Sequence, residues 1–302
     1  MTSENPYAVA SADPDAPLEK DFTHSQNNLQ SERLEPHVGS DEALRRIRTA
    51  GSISISPELF EKMYLSPQNQ VKGDLRKMVG NPTPLALVGF LLSLSPLSCI
   101  LMGWRGSGGS GASGTATYFF FGGILMLLGA VGEWILGNTY PFVVFGTFGA
   151  FWLSFGGTLQ PDFNAYGAYS PDPSNPAAGL TTVGFNSSFA FFLLFMGLLS
   201  FLFLILALRT NIVFVVIFAT LSPAFCLLAG AYWQTSNGNT DLASNLMVAA
   251  GACTFVTCAG GWWIFFAIML AALDFPFQLP VGDLSTLIKG ATQRQKELES
   301  QV

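Results

Sequence analysis

Six stretches of about 20 predominantly apolar residues lie between positions 83 and 273, and none holds more than one Asp, Glu, Lys or Arg. At 1.5 Å per residue, a helix of that length reaches across the roughly 30 Å hydrocarbon core of a bilayer. Lipid offers no partner for a bare N–H or C=O, so each stretch has to satisfy its own backbone as a helix. The runs cover residues 83–102, 117–136, 140–159, 187–208, 211–232 and 246–273. They predict an all-α integral membrane protein, a six-transmembrane-helix bundle spanning residues 81–275. Little more than Gly137, Asn138 and Thr139 separates the second and third runs, and Arg209-Thr210 joins the fourth and fifth, so each pair forms an antiparallel hairpin.

Composition agrees with a chain that meets two solvents. Only 11% of the 302 residues are charged, against about 25% in an ordinary soluble domain. Residues 1–80 hold 12 of the 20 acids and 9 of the 14 bases. Residues 1–50 form an acidic segment rich in Ser, Asn and Pro and without apolar periodicity, which predicts a disordered N-terminal tail. No signal peptide is expected, because the first apolar run starts near Thr83 and is too long for one. In residues 51–80, Leu59, Phe60, Met63 and Tyr64 share one helical face after Ser56-Pro57. That face fits either an interfacial helix or a cap on the bundle. Residues 276–302 are expected to form a cytosolic C-terminal tail.

Orientation follows from the bases that flank the spans. Lys72, Arg76 and Lys77 precede the first span, Arg209 joins the fourth and fifth, and Lys289, Arg294 and Lys296 follow the sixth. The opposite side has Arg105 alone, and its loop from Gln160 to Phe185 carries Asp162 and Asp172 but no base. Both termini are therefore expected in the cytosol. Asn186-Ser187-Ser188 is a candidate glycan acceptor on the far side.

Asn81-Pro-Thr-Pro-Leu-Ala-Leu87 opens the first span. Proline suits a first helical turn, whose N–H groups have no partner within the helix, and Asn81 is the expected N-cap. Those N–H groups and Thr83 either serve a well-capped helix or attract an anion. Pro96 and Pro223 sit in similar surroundings, Leu94-Ser-Pro-Leu-Ser-Cys99 and Leu221-Ser-Pro-Ala-Phe-Cys226. They mark either two kinked helices lining one cavity or a coincidence of common membrane residues.

Glu133 is the one Asp, Glu, Lys or Arg well inside a span, and exposing it to lipid would cost about 3 kcal/mol at mid-helix and less near the interface. It shares a helical stripe with Gly122, Met126, Gly129 and Gly137, which predicts that it faces protein. It is either a carboxylate paired with a neighbour or a proton or ion site in a pathway. The four cysteines all lie in apolar runs and fit no metal spacing. Both histidines lie in the tail, and no nucleophile, base or metal constellation occurs in the spans, so an enzyme is not expected and neither is a cofactor or a nucleic-acid partner.

Several separated motifs resemble the acetate uptake transporters, also called succinate-acetate permeases, and their fungal members in particular. The family signature Asn-Pro-Ala-Pro-Leu-Gly-Leu is similar to residues 81–87. Glu followed closely by Gly-Asn-Thr is similar to Glu133 and Gly137-Asn-Thr139, and Gly-x-Phe-Trp-Leu matches Gly149-Ala-Phe-Trp-Leu153. The resemblance covers about residues 52–290. It implies a six-helix protomer, a hexamer, a plasma-membrane location, and a path for acetate and related short monocarboxylates, with protons, through each protomer.

The same resemblance places a constriction at Phe90, Phe148 and Leu221. Each of the three lies about 8 to 10 residues into an outward-running span, hence about 12 to 15 Å deep. Asn81, Thr83 and Glu133 fall at the mouth. Thr83 and Ala86 depart from the signature, Phe148 stands where relatives have tyrosine, and Met126 stands where many have glutamine. The rival readings are outward transport of ammonia or ammonium, and an acetate sensor that moves nothing.

Overall fold

The structure, a computed structural model, describes residues 78–284. The expected N-terminal tail, the amphipathic face at residues 59–64 and the last part of the C-terminal tail lie outside the described residues. Within them are six helices long and apolar enough to cross a membrane. They are α1 (Thr83–Leu101), α2 (Gly109–Ile135), α3 (Thr139–Thr158), α4 (Val183–Ala207), α5 (Ile212–Ser236) and α6 (Thr240–Ala272). The chain is an all-α multi-pass membrane protein.

Local chemistry sets the helix ends beyond the apolar runs. The Thr182 hydroxyl accepts the N–H of Phe185 and starts α4 before its lipid-facing part, while Asn211 Oδ1 accepts the N–H of Phe214 at 2.9 Å and starts α5. The first turn of α6 carries Asp241, which lies before the apolar run and in the favourable field of the helix N-terminus. In α2, 3-10 turns at Gly109–Gly114 and one α turn lead into a π stretch, Tyr118–Leu125, before regular helix resumes at Met126–Ile135.

In the bundle α1 packs between α2 and α6, α3 lies on α2, and α5 packs between α4 and α6. Aromatic rings join α3 to α4: Tyr140 and Phe148 each meet Phe203 with ring centroids 6.2 Å apart, and Phe151 meets Phe192 at 5.8 Å. The centre of the protomer is therefore filled by aromatic side chains. We call the end that carries the start of α1 and the α4–α5 connection proximal, and the opposite end distal.

At the proximal end the chain beyond α6 folds back. The Ile212 N–H donates to Gly282 O at 2.8 Å, the Leu284 N–H donates to Thr210 O at 3.0 Å, and Val281 is buried. The first residues of the expected C-terminal tail are thus stitched to the α4–α5 connection.

Two expectations change. Pro96 and Pro223 lie inside α1 and α5, but both are exposed on outward faces, so neither lines a central cavity. Asn186 is buried, and its side-chain N–H2 donates to Leu180 O and Thr182 O, each at 2.9 Å. That nitrogen braces the distal loop and is not presented to a glycosyl donor.

Close helix packing rests on glycine along α2, and also at Gly89 of α1. A Cβ added at Gly89 would stand 2.5 Å from the Phe121 carbonyl oxygen in the π stretch, a backbone atom with little freedom to yield. At Gly146 of α3 the nearest atom would be 3.7 Å away. Gly89→Ala should therefore destabilise the detergent-purified protein by about 1–3 kcal/mol, as overpacking does. Gly146→Ala should be neutral or stabilise it by up to about 1 kcal/mol. Thermal unfolding of the two variants side by side checks the contrast.

Candidate functional site

The proximal corner is built around Glu133, which has only 1% of its surface exposed. The Thr83 hydroxyl donates to Oε1 of Glu133, and the Asn138 carboxamide donates to Oε2 at 2.6 Å. The Asn138 N–H also donates to the Glu133 carbonyl at 2.8 Å. Gly137 takes φ 74°, a left-handed conformation that glycine adopts freely, and so lets the chain reverse immediately before Asn138. One carboxylate thus joins the first residue of α1 to the α2–α3 turn.

α1 reaches this corner because α2 presents glycine to it. A Cβ at Gly129 would lie 2.6 Å from Ala86 Cβ, and one at Gly132 would lie 2.5 Å from Pro82 Cβ. Pro82 occupies the N-cap position, and Asn81, one residue earlier, accepts the Thr83 N–H on Oδ1 at 2.9 Å. The capping expected of Asn81 is present, shifted by one residue. Thr83 is buried and its hydroxyl hydrogen is committed to Glu133, so Thr83 is not the free donor that the sequence suggested.

Among the described residues, two small apolar cavities lie within the bundle. The proximal one, of about 10 Å³, is bounded by Thr83, Tyr140, Val144, Phe145, Phe214 and Phe218, and is room for about one water. The Tyr140 hydroxyl is committed to Phe203 O at 3.0 Å. The distal one, of about 40 Å³, is bounded by residues that include Leu97, Phe151, Phe155, Leu193, Leu228 and Tyr232.

Phe90, Phe148 and Leu221 fall between the two sets along α1, α3 and α5, and all three are buried. Phe90 meets Phe148 edge-on at 6.4 Å. Leu221 sits on the stripe of α5 between Phe218 and Phe225, each of which also touches Phe148.

Four residues of this region were not singled out from the sequence as site residues. Asn138 stood in a recognised motif but only as part of a turn. Phe203, Phe218 and Phe225 belong to apolar spans in which phenylalanine is abundant. The available signal was spacing, because Phe218 and Phe225 lie three residues before and four after Leu221 and so share its helical face.

Residues 64–286 match the sequence profile of the GPR1/FUN34/yaaH family. The chain belongs to that family. It is 48% identical over 234 residues to Protein alcS of Aspergillus fumigatus, covering 78% of this chain and 86% of that one. It is 32% identical to the acetate transporter protein patA of Aspergillus clavatus, covering 69% of this chain and 80% of the relative. Ammonia transport outward protein 2 of Saccharomyces cerevisiae is 27% identical, with 93% and 94% covered. The fold is similar to that of the bacterial acetate channel SatP, with a TM-score of 0.52 and 23% identity over 68% of this chain and 99% of the other.

The geometry at Glu133 makes Thr83 testable by itself. Thr83→Val keeps the volume but removes a donor from a buried carboxylate, and should cost about 1–3 kcal/mol of stability. Thr83→Ser keeps the hydroxyl and should lose well under half of that. Thermal unfolding of both variants at neutral pH distinguishes a lost hydrogen bond from altered packing.

Proposed function

We propose that this protein is a plasma-membrane transporter of acetate and related short-chain monocarboxylates, moved with a proton or as the undissociated acid, with both termini in the cytosol. The observation that carries the reading is the order along the bundle: Glu133 and Thr83, a small cavity, the buried level of Phe90, Phe148 and Leu221, then a second small cavity. The naming of patA as an acetate transporter and of SatP as an acetate channel supports the choice of substrate. An oligomer, a hexamer by family resemblance, suits the apolar outer faces of α2 and α4, where Phe120, Trp134, Phe195 and Phe201 are exposed.

The chemistry of the middle level favours the neutral acid. An ionised carboxylate between Phe and Leu side chains gives up its water with no donor in exchange, whereas a protonated carboxyl gives up far less. Phe148 has no hydroxyl, where the family resemblance implies a tyrosine, which sharpens that preference. In this reading Glu133, at the proximal mouth, receives the proton or holds the mouth in shape. Asn81 completes the mouth by capping α1.

A second reading, outward movement of ammonia or ammonium, is favoured by the name of the yeast relative and by a carboxylate at the end of the path. Reconstitution separates the two. Purified protein in liposomes should take up labelled acetate, other short acids should compete, and an ammonium gradient should give little flux. Acetate flux absent beside robust ammonium flux would reverse the assignment.

Above the pKa of acetic acid, uptake should fall about tenfold per pH unit, following the protonated species. Glu133→Gln should reduce acetate uptake while the protein still reaches the membrane. Uptake by that variant indistinguishable from wild type across the pH range would remove Glu133 from the mechanism.

A further inference from the structure

Phe148 does not stand in an open ring; it is slotted between two phenylalanines of one helix. Its ring centroid is 6.3 Å from that of Phe218 and 6.4 Å from that of Phe225, with planes inclined at 31° and 19°. Phe218 and Phe225 are seven residues apart on α5, about 10.5 Å along its axis, so two such short distances are met together only if Phe148 lies between them. Leu221, also buried, lies between them on the same stripe of α5.

Each side of the slot is braced from another helix; the Phe218 side lines the proximal cavity, and the Phe225 side rests on a ring that lines the distal one. Phe218 bounds the proximal cavity and leans on Phe203 of α4 at 5.7 Å. Phe225 meets Phe151 of α3 edge-on at 5.2 Å, and Phe151 bounds the distal cavity. Opening a passage past Phe148 therefore requires its ring to leave a slot whose width is set by Phe218 and Phe225. Phe90 and Phe203 stand beside the same ring at 6.4 and 6.2 Å, so Phe148 is surrounded by other aromatic rings as well.

Resting on the transport reading above, we propose that Phe218 and Phe225 are the size-determining residues of this pathway, and that together they limit the acids passed to the shortest. They act through Phe148, the group that the substrate must displace. A solute with two more methylenes needs the ring displaced further, and both sides of the slot resist it. Trimming either side gives the ring room to move without removing it.

The test uses the full chain in liposomes and compares labelled acetate with labelled butyrate. Phe218→Leu and Phe225→Leu should each raise the butyrate-to-acetate uptake ratio by about tenfold, the discrimination that a methylene or so carries in an apolar site. Phe225→Trp should lower the ratio. Phe266→Leu, an exposed position on α6, should leave it unchanged. Should a Leu variant fail to fold, as judged by size-exclusion chromatography, the similarly sized and more adaptable Met replacement at that position takes its place with the same expectation.

A ratio that stays at the wild-type value in folded variants of both positions, while wild-type acetate uptake is intact, overturns the size role and leaves the transport reading standing. Equal gains for both acids, accompanied by leakage of a trapped sugar, mean a damaged bundle and overturn it as well. Absence of acetate uptake by the wild-type protein removes the transport reading and this one with it.

Discussion

A carboxylate that cannot reach water must be given hydrogen bonds by the protein, and in this chain that requirement fixes one whole end of the bundle. Among the described residues, Glu133 receives hydrogen bonds from the first residue of α1 and from the turn that starts α3. Neither partner is in place unless α1 begins at Thr83 and the chain reverses at Gly137. The closeness of Pro82 and Ala86 to Gly132 and Gly129 follows, because a longer side chain on α2 would push α1 out of reach of the carboxylate. Truncating a partner leaves a buried charge short of a donor, which costs more than the net gain of making the bond.

The middle of the bundle obeys the opposite rule. Phe90, Phe148, Phe203, Phe218 and Phe225 meet by edge and by face at centroid separations of 5.7 to 6.4 Å, and no hydrogen bond has to break for any of these rings to turn. Aromatic pairs of this kind contribute about 0.5–1.5 kcal/mol each beyond the area they bury. Summed over a cluster they close the centre firmly, but each is weak enough to be exchanged for contact with a small solute.

Much of this was legible in the sequence, because the bilayer leaves few solutions. Six apolar runs gave six helices, and short connections gave hairpins. The isolation of Glu133 among apolar residues already required it to face protein. The identity of its partners was less accessible. Thr83 is 50 residues away, and an Asn in a turn reads as a turn former before it reads as a donor to a carboxylate. Pro96 and Pro223 misled because the period of a helix places a residue on a face but does not say which face turns inward; in α1 and α5 the large apolar side chains took the centre. Asn186 misled in a similar way. Its motif describes three residues, whereas its burial depends on where the loop at Leu180 and Thr182 comes to rest.

The two regions together explain why a transport pathway would place an acid such as Glu133 away from its narrowest level. A carboxylate among the central rings would need fixed donors, and fixed donors would hold the barrier shut by the same bonds that satisfy the charge. With Glu133 at the proximal corner, the strong directional bonds anchor α1, α2 and α3 to one another, and the central rings are left with dispersion and shape alone. The 31° and 19° inclinations of Phe148 to its neighbours suit a ring held by packing on both sides rather than by a polar tether. A hydroxyl on that ring would want a partner in the closed state and would have to abandon it on opening. Phenylalanine at this position removes that cost and, with it, the means to greet an ionised carboxylate on its way through.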